Sequence, residues 1–253
     1  MKFYTSITPF YDDIFPFKPL QKSFVESFIQ VKPSLNLLDI GCGTGSLVLN
    51  LADKLDTLIG IDPDKEMLRF AQIKALKFKA DRRDRLEDLG KWVFLPKGMV
   101  DLREEFAPGS FDFILCFGNT LVHLSDIKQL REFLKQAFEI LKPGGRLMIQ
   151  IINYDRIIDK GLKGLPTIEN DKLKFERIYD YDPATKVVNF HTILTIKEDD
   201  TVIENEIPLL AIRPGHLRAM IREEGYTDLE EYGSFKKDEF QSDSQPFIVV
   251  CRK

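Results

Sequence analysis

Apolar residues fall at helical spacing in some stretches of this chain, in short solid runs in others, and late in the sequence in strict alternation. Over residues 19–31, Leu20, Phe24, Val25, Phe28 and Ile29 predict an amphipathic helix ended near Pro33. The run Leu35, Leu37, Leu38, Ile40 predicts a buried strand with one acid in it, Asp39. A helix over 47–54, a short buried strand over 57–61 and a helix opened by Pro63 follow, the last with Met67, Leu68, Ala71 and Ile73 or Ala75 on one side. Residues 92–95 and 99–100 both read as strand, split by Pro96-Lys97-Gly98. Residues 111–117 form an apolar strand, 125–141 an amphipathic helix closed by Pro143-Gly144-Gly145, and 146–153 the next strand. Such alternation of strand and helix implies right-handed parallel crossovers and a doubly wound, mostly parallel α/β sheet.

After Asp155 the period changes. Residues 172–181, 187–197 and 201–210 alternate apolar and polar positions around turns at Asp182-Pro183 and Glu198-Asp199-Asp200, which predicts an antiparallel meander. Pro214 opens a helix reaching Glu224, stopped by Gly225, and two strands follow over 226–232 and 247–252. Residues 79–91 read as an inserted polar helix or loop. Ahead of everything lies an aromatic-rich segment (Tyr4, Phe10, Tyr11, Phe15, Phe17) that serves either as a cap over a pocket or as the packing of an N-terminal arm.

Size and charge narrow the class. The 253 residues suit one large α/β domain with an insertion, and 43% hydrophobic residues supply a core. No apolar run is long enough for a membrane helix and no signal-peptide pattern is present, so a cytoplasmic protein is expected. A net charge of −4 disfavours nucleic acid as a partner. The basic Arg82-Arg83-Asp84-Arg85 cluster is interleaved with acids and reads as a solvated helix face. Three scattered cysteines, Cys42, Cys116 and Cys251, form no C-x-x-C pair, so no metal site is expected and each reads as a small core residue.

The densest chemistry lies in residues 37–45, L-L-D-I-G-C-G-T-G. Gly41, Gly43 and Gly45 break the strand at alternate positions, where a backbone without Cβ takes positive φ and lets a ligand approach. The helix start then presents N–H groups to a carboxylate or a hydroxyl-rich group. A dinucleotide fingerprint needs a third glycine where this chain has Ser46, which argues against a nicotinamide oxidoreductase. The D-x-G-x-G-x-G form instead resembles the first motif of class I S-adenosylmethionine-dependent methyltransferases. The resemblance implies a Rossmann-like seven-stranded sheet with an inserted antiparallel β lid. Residues 1–253 would then form a single methyltransferase domain, with 1–155 and 212–253 as its core and 156–211 as lid or substrate rim. It also implies that the loop, including Cys42 and Thr44, wraps the methionine part of the donor, with Asp39 near its ammonium.

Asp62, at the carboxyl end of the second strand and followed by Pro63 and Met67, is placed to accept both ribose hydroxyls. By the same resemblance, Asp101 takes the adenine amino group and the Leu102 amide meets a ring nitrogen. The segment 115–124, L-C-F-G-N-T-L-V-H-L, ends the fourth strand and is similar to that of glycine and sarcosine N-methyltransferases. This brings Cys116, Phe117, Gly118, Asn119 and His123 to the donor's reactive end. Tyr11-Asp12-Asp13 is similar to a segment that closes over the sulfonium, so Tyr11 joins the donor-binding set. The Leu141-Lys142-Pro143-Gly144-Gly145 turn is a further mark of the family.

These residues imply methyl transfer from S-adenosylmethionine, leaving S-adenosylhomocysteine, to a small-molecule acceptor in a monomer or homodimer. Holding acceptor, methyl and sulfur in a row contributes about 7–11 kcal/mol. A general base is optional, and His123 and Tyr11 are the candidates. Asn153, Tyr154, Arg156, Arg177 and Tyr179 are placed by topology to line the acceptor pocket, whereas His191 and His216 read as structural. No set of arginines for gripping a small carboxylate stands out. A protein methyltransferase and a non-catalytic donor sensor are the alternatives.

Overall fold

A computed structural model describes residues 2–29, 34–81 and 90–253. The Arg82-Arg83-Asp84-Arg85 cluster, Pro33 and most of the 79–91 segment lie outside the described residues. In chain order the elements are α1 (Lys2–Ile7), α2 (Tyr11–Ile14), α3 (Pro19–Glu26), β1 (Asn36–Ile40), α4 (Ser46–Asn50), β2 (Thr57–Ile61), α5 (Lys65–Asp81), β3 (Lys91–Leu95) and α6 (Leu102–Glu105). Then come β4 (Phe111–Cys116), α7 (Ile127–Ile140), β5 (Leu141–Ile152), α8 (Tyr154–Asp159) and four long strands, β6 (Gly164–Glu169), β7 (Leu173–Asp182), β8 (Val187–Ile196) and β9 (Thr201–Leu210). The chain closes with α9 (Pro214–Glu223), β10 (Thr227–Tyr232) and β11 (Pro246–Arg252).

Seven strands make one sheet in the order β10-β11-β5-β4-β1-β2-β3. Strands β1 to β5 run parallel, and β11 is antiparallel to both its neighbours. The order reverses between β1 and β4, the switch point at which open α/β sheets leave a crevice at the carboxyl ends of their strands. Both faces are buried, so successive residues of one strand join different cores. Leu38, Ile114 and Leu147 pack with Leu130, Phe133, Leu134 and Leu217, whereas Leu37, Leu115 and Met148 pack with Phe24, Val25, Leu49 and Leu68. Burying each such side chain is worth about 1.5–3 kcal/mol.

Strands β6 to β9 form a second, wholly antiparallel sheet. Its inner residues Leu173, Phe175 and Leu194 are covered by Phe3, Ile7 and Ile14 of α1 and α2. The aromatic N-terminal segment is therefore helical and packs on this sheet.

Several boundaries differ from the sequence reading, each for a local reason. Helix α3 stops at Glu26, where the Ser27 hydroxyl bonds the Phe24 carbonyl at 2.6 Å. Helix α4 ends at Asn50, whose side chain bonds back to the Ser46 carbonyl at 2.8 Å. Pro63 does not open α5. The Asp64 carboxylate caps it instead, accepting from the Glu66 and Met67 amides at 2.9 and 3.2 Å. Ala75 is buried and Ile73 is exposed. Met99 and Val100 form a turn rather than strand, with the Val100 carbonyl taken by the Gln136 side chain at 2.8 Å. Strand β5 begins at Leu141, and Pro143-Gly144-Gly145 is absorbed as a register shift between the Phe111–Leu141 and Phe113–Arg146 pairs. Strand β6 was not foreseen, because Pro166 and a register shift between Leu165 and Ile168 erase its alternation. The residues Tyr154–Asp159, given no element from the sequence, form helix α8.

Candidate active site

Strand β1 places Asp39 beside Gly60 and Leu115 at the switch point, and the chain then turns through Gly41, Gly43 and Gly45 at φ of +71°, +54° and +73°. Two of these glycines are also sterically required. A Cβ on Gly41 would lie 2.4 Å from a Thr120 methyl, and one on Gly45 would lie 2.6 Å from the Phe94 ring. The Gly41 and Cys42 amides donate to the Ile61 carbonyl at 2.8 and 3.0 Å, which pins the loop to the end of β2.

Asp62 follows Ile61. Its two oxygens accept one amide each, from Gly43 at 3.1 Å and from Asp64 at 2.9 Å. Lone pairs remain on both oxygens, so this carboxylate can still accept two hydroxyls. Burial raises its pKa to about 6, and neighbouring Asp64 adds to the rise while the two amide bonds oppose it. Asp39 is 4% exposed, and burial followed by repulsion from Asp62 raises its pKa to about 7. No hydrogen bond among the described residues relieves Asp39, so a cation seated there would lower its energy.

The N-terminal arm stands over this loop. The Tyr11 ring comes within 3.4 Å of the position a Gly43 Cβ would occupy. Asp12 accepts from the Thr44 hydroxyl at 2.7 Å and pairs with Lys74 at 2.7 Å. Lys74 also reaches Thr44 and Ser46, at 2.8 and 2.7 Å. Thr5 donates to Asp64 at 2.7 Å. The segment thus packs on the second sheet and stands over the loop. Asp12 was named only within the Tyr11-Asp12-Asp13 segment, and Lys74, Thr5 and Asp64 escaped notice because polar groups far apart in sequence carry no mutual signal.

At the end of β4, Cys116 and Phe117 are buried, and Gly118 and Asn119 take positive φ. The Gly118 amide donates to the Gln150 side chain at 2.8 Å, while Asn119 accepts from the Ile152 amide at 2.9 Å and reaches the Tyr154 hydroxyl at 3.4 Å. Gln150 is a polar residue inside the apolar run of β5, a signal the sequence did carry. His123 Nε2 and the Tyr4 hydroxyl lie 2.8 Å apart. Burial lowers the His123 pKa to about 4, so this imidazole is neutral at pH 7. Burial raises the pKa values of Tyr4, Tyr11, Tyr154 and Tyr179, and Tyr4 lies within electrostatic reach of the other three and of Asp62.

The structure thus gathers Tyr11, Asp39, the glycine loop, Asp62 and His123 with Tyr4, which the sequence reading had left in an aromatic cluster. Met67 is buried under the α5 cap and Pro63 is exposed. Asp101 is exposed beside Lys97, and the Leu102 side chain is buried in the core. Cys42 is half-buried, its sulfur filling the space left by Gly60, whereas Cys116 and Cys251 are core residues. Asn153 does not line a pocket. It is fully buried, caps α8 and donates to the Ser242 and Ser244 carbonyls at 3.0 Å. His191 lies 3.5 Å from Glu204 on the second sheet, and His216 is exposed on α9. Among the described residues no cluster of three or more metal-ligating side chains occurs, and no helix is long and apolar enough to cross a membrane.

Residues 37–145 match the family model of the methyltransferase domain. The chain is 26% identical over 221 residues to glycine/sarcosine N-methyltransferase from Aphanothece halophytica, covering 86% of this chain and 76% of that protein. It is 32% identical over 160 residues to glycine N-methyltransferase from Oryctolagus cuniculus, a match spanning 60% of this chain and 52% of the relative. Among solved structures, an S-adenosylmethionine-dependent methyltransferase from Clostridium acetobutylicum superposes with a TM-score of 0.77 at 17% identity, over 98% of both chains. The CcbJ methyltransferase from Streptomyces caelestis gives 0.77 at 23% identity, over 97% of this chain and 95% of its own. These two structures share the seven-stranded α/β fold.

Proposed function

We propose that this chain is a class I S-adenosylmethionine-dependent methyltransferase, as its domain match and its relatives support, and that it methylates the nitrogen of a small amine. The residues fit the donor. Asp39 offers a buried carboxylate in need of a cation, Asp62 retains free lone pairs for two ribose hydroxyls, and Gly43 lets the Tyr11 ring close to within van der Waals reach. When bound, S-adenosylmethionine supplies a sulfonium-borne methyl carbon open to in-line displacement.

The observation that carries the choice of amine is the weakness of His123 and the tyrosines as bases, Asp39 and Asp62 being assigned to the donor. His123 is held near pKa 4 and the surrounding tyrosines are held protonated, so none of them readily takes a proton from a hydroxyl. An amine needs no base in the transfer step itself once it is bound as its neutral form, its ammonium proton having been lost to solvent, because the lone pair is then free. We therefore assign His123 and Tyr4 to positioning, with their mutual hydrogen bond fixing the wall against which the acceptor rests. The second sheet serves as the rim of the acceptor pocket, and the N-terminal arm closes the donor side.

Calorimetric titration with S-adenosylmethionine, S-adenosylhomocysteine and NAD tests the donor, with binding expected from the first two only. Transfer of label from donor to small amines, alcohols and peptides tests the acceptor. Faster labelling of alcohols than of amines would refute nitrogen methylation, and labelling of peptides alone would identify a protein methyltransferase. Tight donor binding with no transfer to any of them would mark a sensor.

A further inference from the structure

The inner face of the second sheet carries one polar row between two apolar ones. Arg177 on β7 lies directly opposite Thr192 on β8, which lies opposite Asn205 on β9. The flanking rows are Phe175, Leu194 and Ile203 on one side and Tyr179, Phe190 and Ile207 on the other. Asn205 is satisfied by the Ser6 hydroxyl at 3.0 Å. The other two are not. Among the described residues Arg177 Nε and Thr192 Oγ1 are buried without a hydrogen-bond partner, and Thr192 is 0% exposed. The Arg177 guanidinium is oriented by donation from Nη2 to the Pro166 carbonyl, and among the described residues no carboxylate pairs with it.

Directly opposed residues of an antiparallel pair stand side by side on one face, so Arg177 and Thr192 share this face, with the guanidinium held toward β6 and its Nε left unpaired. Buried donors are rarely left unpaired, and a fixed guanidinium beside a hydroxyl suits the two oxygens of a planar carboxylate. A phosphate is the poorer match, since a single cation serves the seat. Two residues along the same face, Tyr179 lies within electrostatic reach of Tyr154 and of Tyr4, which contacts His123. The seat is thus continuous with the wall of the methyl-transfer site.

We propose that Arg177 and Thr192 bind the carboxylate of the methyl acceptor, making this chain selective for amines that carry an acid group. The proposal rests on the methyltransferase reading and is tested so that the two can fail separately. First, S-adenosylhomocysteine is titrated into the wild-type protein. Labelled donor is then offered with glycine, β-alanine and 4-aminobutyrate, each against its decarboxylated amine. Acetate is compared with chloride and acetamide as a stabiliser of the S-adenosylhomocysteine complex.

The expected result is label in the amino acids about tenfold or more above the matched amines, and a melting shift from acetate alone. Arg177→Met and Thr192→Val should raise KM for the labelled acid about 10- to 100-fold while S-adenosylhomocysteine affinity stays within about twofold. Equal labelling of acids and amines, or acetate no better than chloride, overturns the carboxylate seat and leaves the donor reading standing. An unchanged KM in Arg177→Met does the same. If S-adenosylhomocysteine does not bind the wild type, the donor reading falls and the seat falls with it. Should either variant fail to fold, the wild-type comparisons decide the matter alone.

Discussion

Asp39 gives the site a pH dependence whose size and sign both follow from its surroundings. Its pKa stands at about 7, raised by burial and by repulsion from Asp62, so most of the protein carries a proton there below neutrality. A donor ammonium requires the ionised carboxylate, so binding must expel that proton. The ionised fraction falls from about 0.9 near pH 8 to about 0.03 near pH 5.5, which predicts donor-product affinity about 30-fold weaker at the lower pH. Asp62, with a pKa of about 6, steepens the low end further. Stability of the free protein must move the other way. A carboxyl whose folded pKa is raised contributes stability at low pH that is lost as pH climbs through about 7, because the folded state holds the proton longer than the unfolded one. Calorimetry of S-adenosylhomocysteine binding over about pH 5.5–8, in two buffers of different ionisation heat, counts the protons released. Asp39→Asn should bind weakly throughout and flatten the curve. A wild-type affinity constant to about twofold across this range, or an unaltered slope in Asp39→Asn, would refute the placement of the ammonium.

Four further tests bear on the scaffold around the site. Gly45→Ala combines a φ of +73° with a Cβ 2.6 Å from the Phe94 ring, and strain plus overpacking should cost about 2–5 kcal/mol in urea denaturation followed by Trp92 fluorescence; a loss under about 1 kcal/mol would contradict the steric argument. The His123 imidazole should titrate near pH 4 by NMR, and a midpoint at about 6 or higher would remove the case for an amine acceptor. Lys74→Met should unlatch Asp12 from Thr44 and weaken S-adenosylhomocysteine binding several-fold, while stability changes by no more than about 1 kcal/mol because the pair is part-exposed. Deleting residues 2–15 uncovers Leu173, Phe175 and Leu194, so bound hydrophobic dye should rise and donor binding should vanish; retention of binding would show that the arm is dispensable.

The seven-stranded sheet was legible because its strands are buried on both faces and read as solid apolar runs closed by glycines. Asp39 within β1 and Asp62 just past the end of β2 stand where the same logic put them. Strand β6 was lost because Pro166 interrupts its alternation, and α8 because its start depends on the Asn153 cap rather than on any period. Residue pairs that meet only through folding were invisible, Tyr4 with His123 and Arg177 with Thr192 among them. Topology alone named Arg177 for the acceptor side, but its neighbour Thr192 across the sheet could not be read from the sequence.

The N-terminal arm also sets an order of events during synthesis. Ser6 bonds Asn205, and Phe3 and Ile7 pack against Leu194, so these earliest residues find their seat only after nearly all of the second sheet has left the ribosome. The Rossmann-like half can begin pairing β1 with β2 and β4 long before that. A nascent chain therefore passes through a stage in which the glycine loop exists but its aromatic cover is still adrift. On the proposed reading, methyl-donor capture waits for this late docking step rather than building up strand by strand.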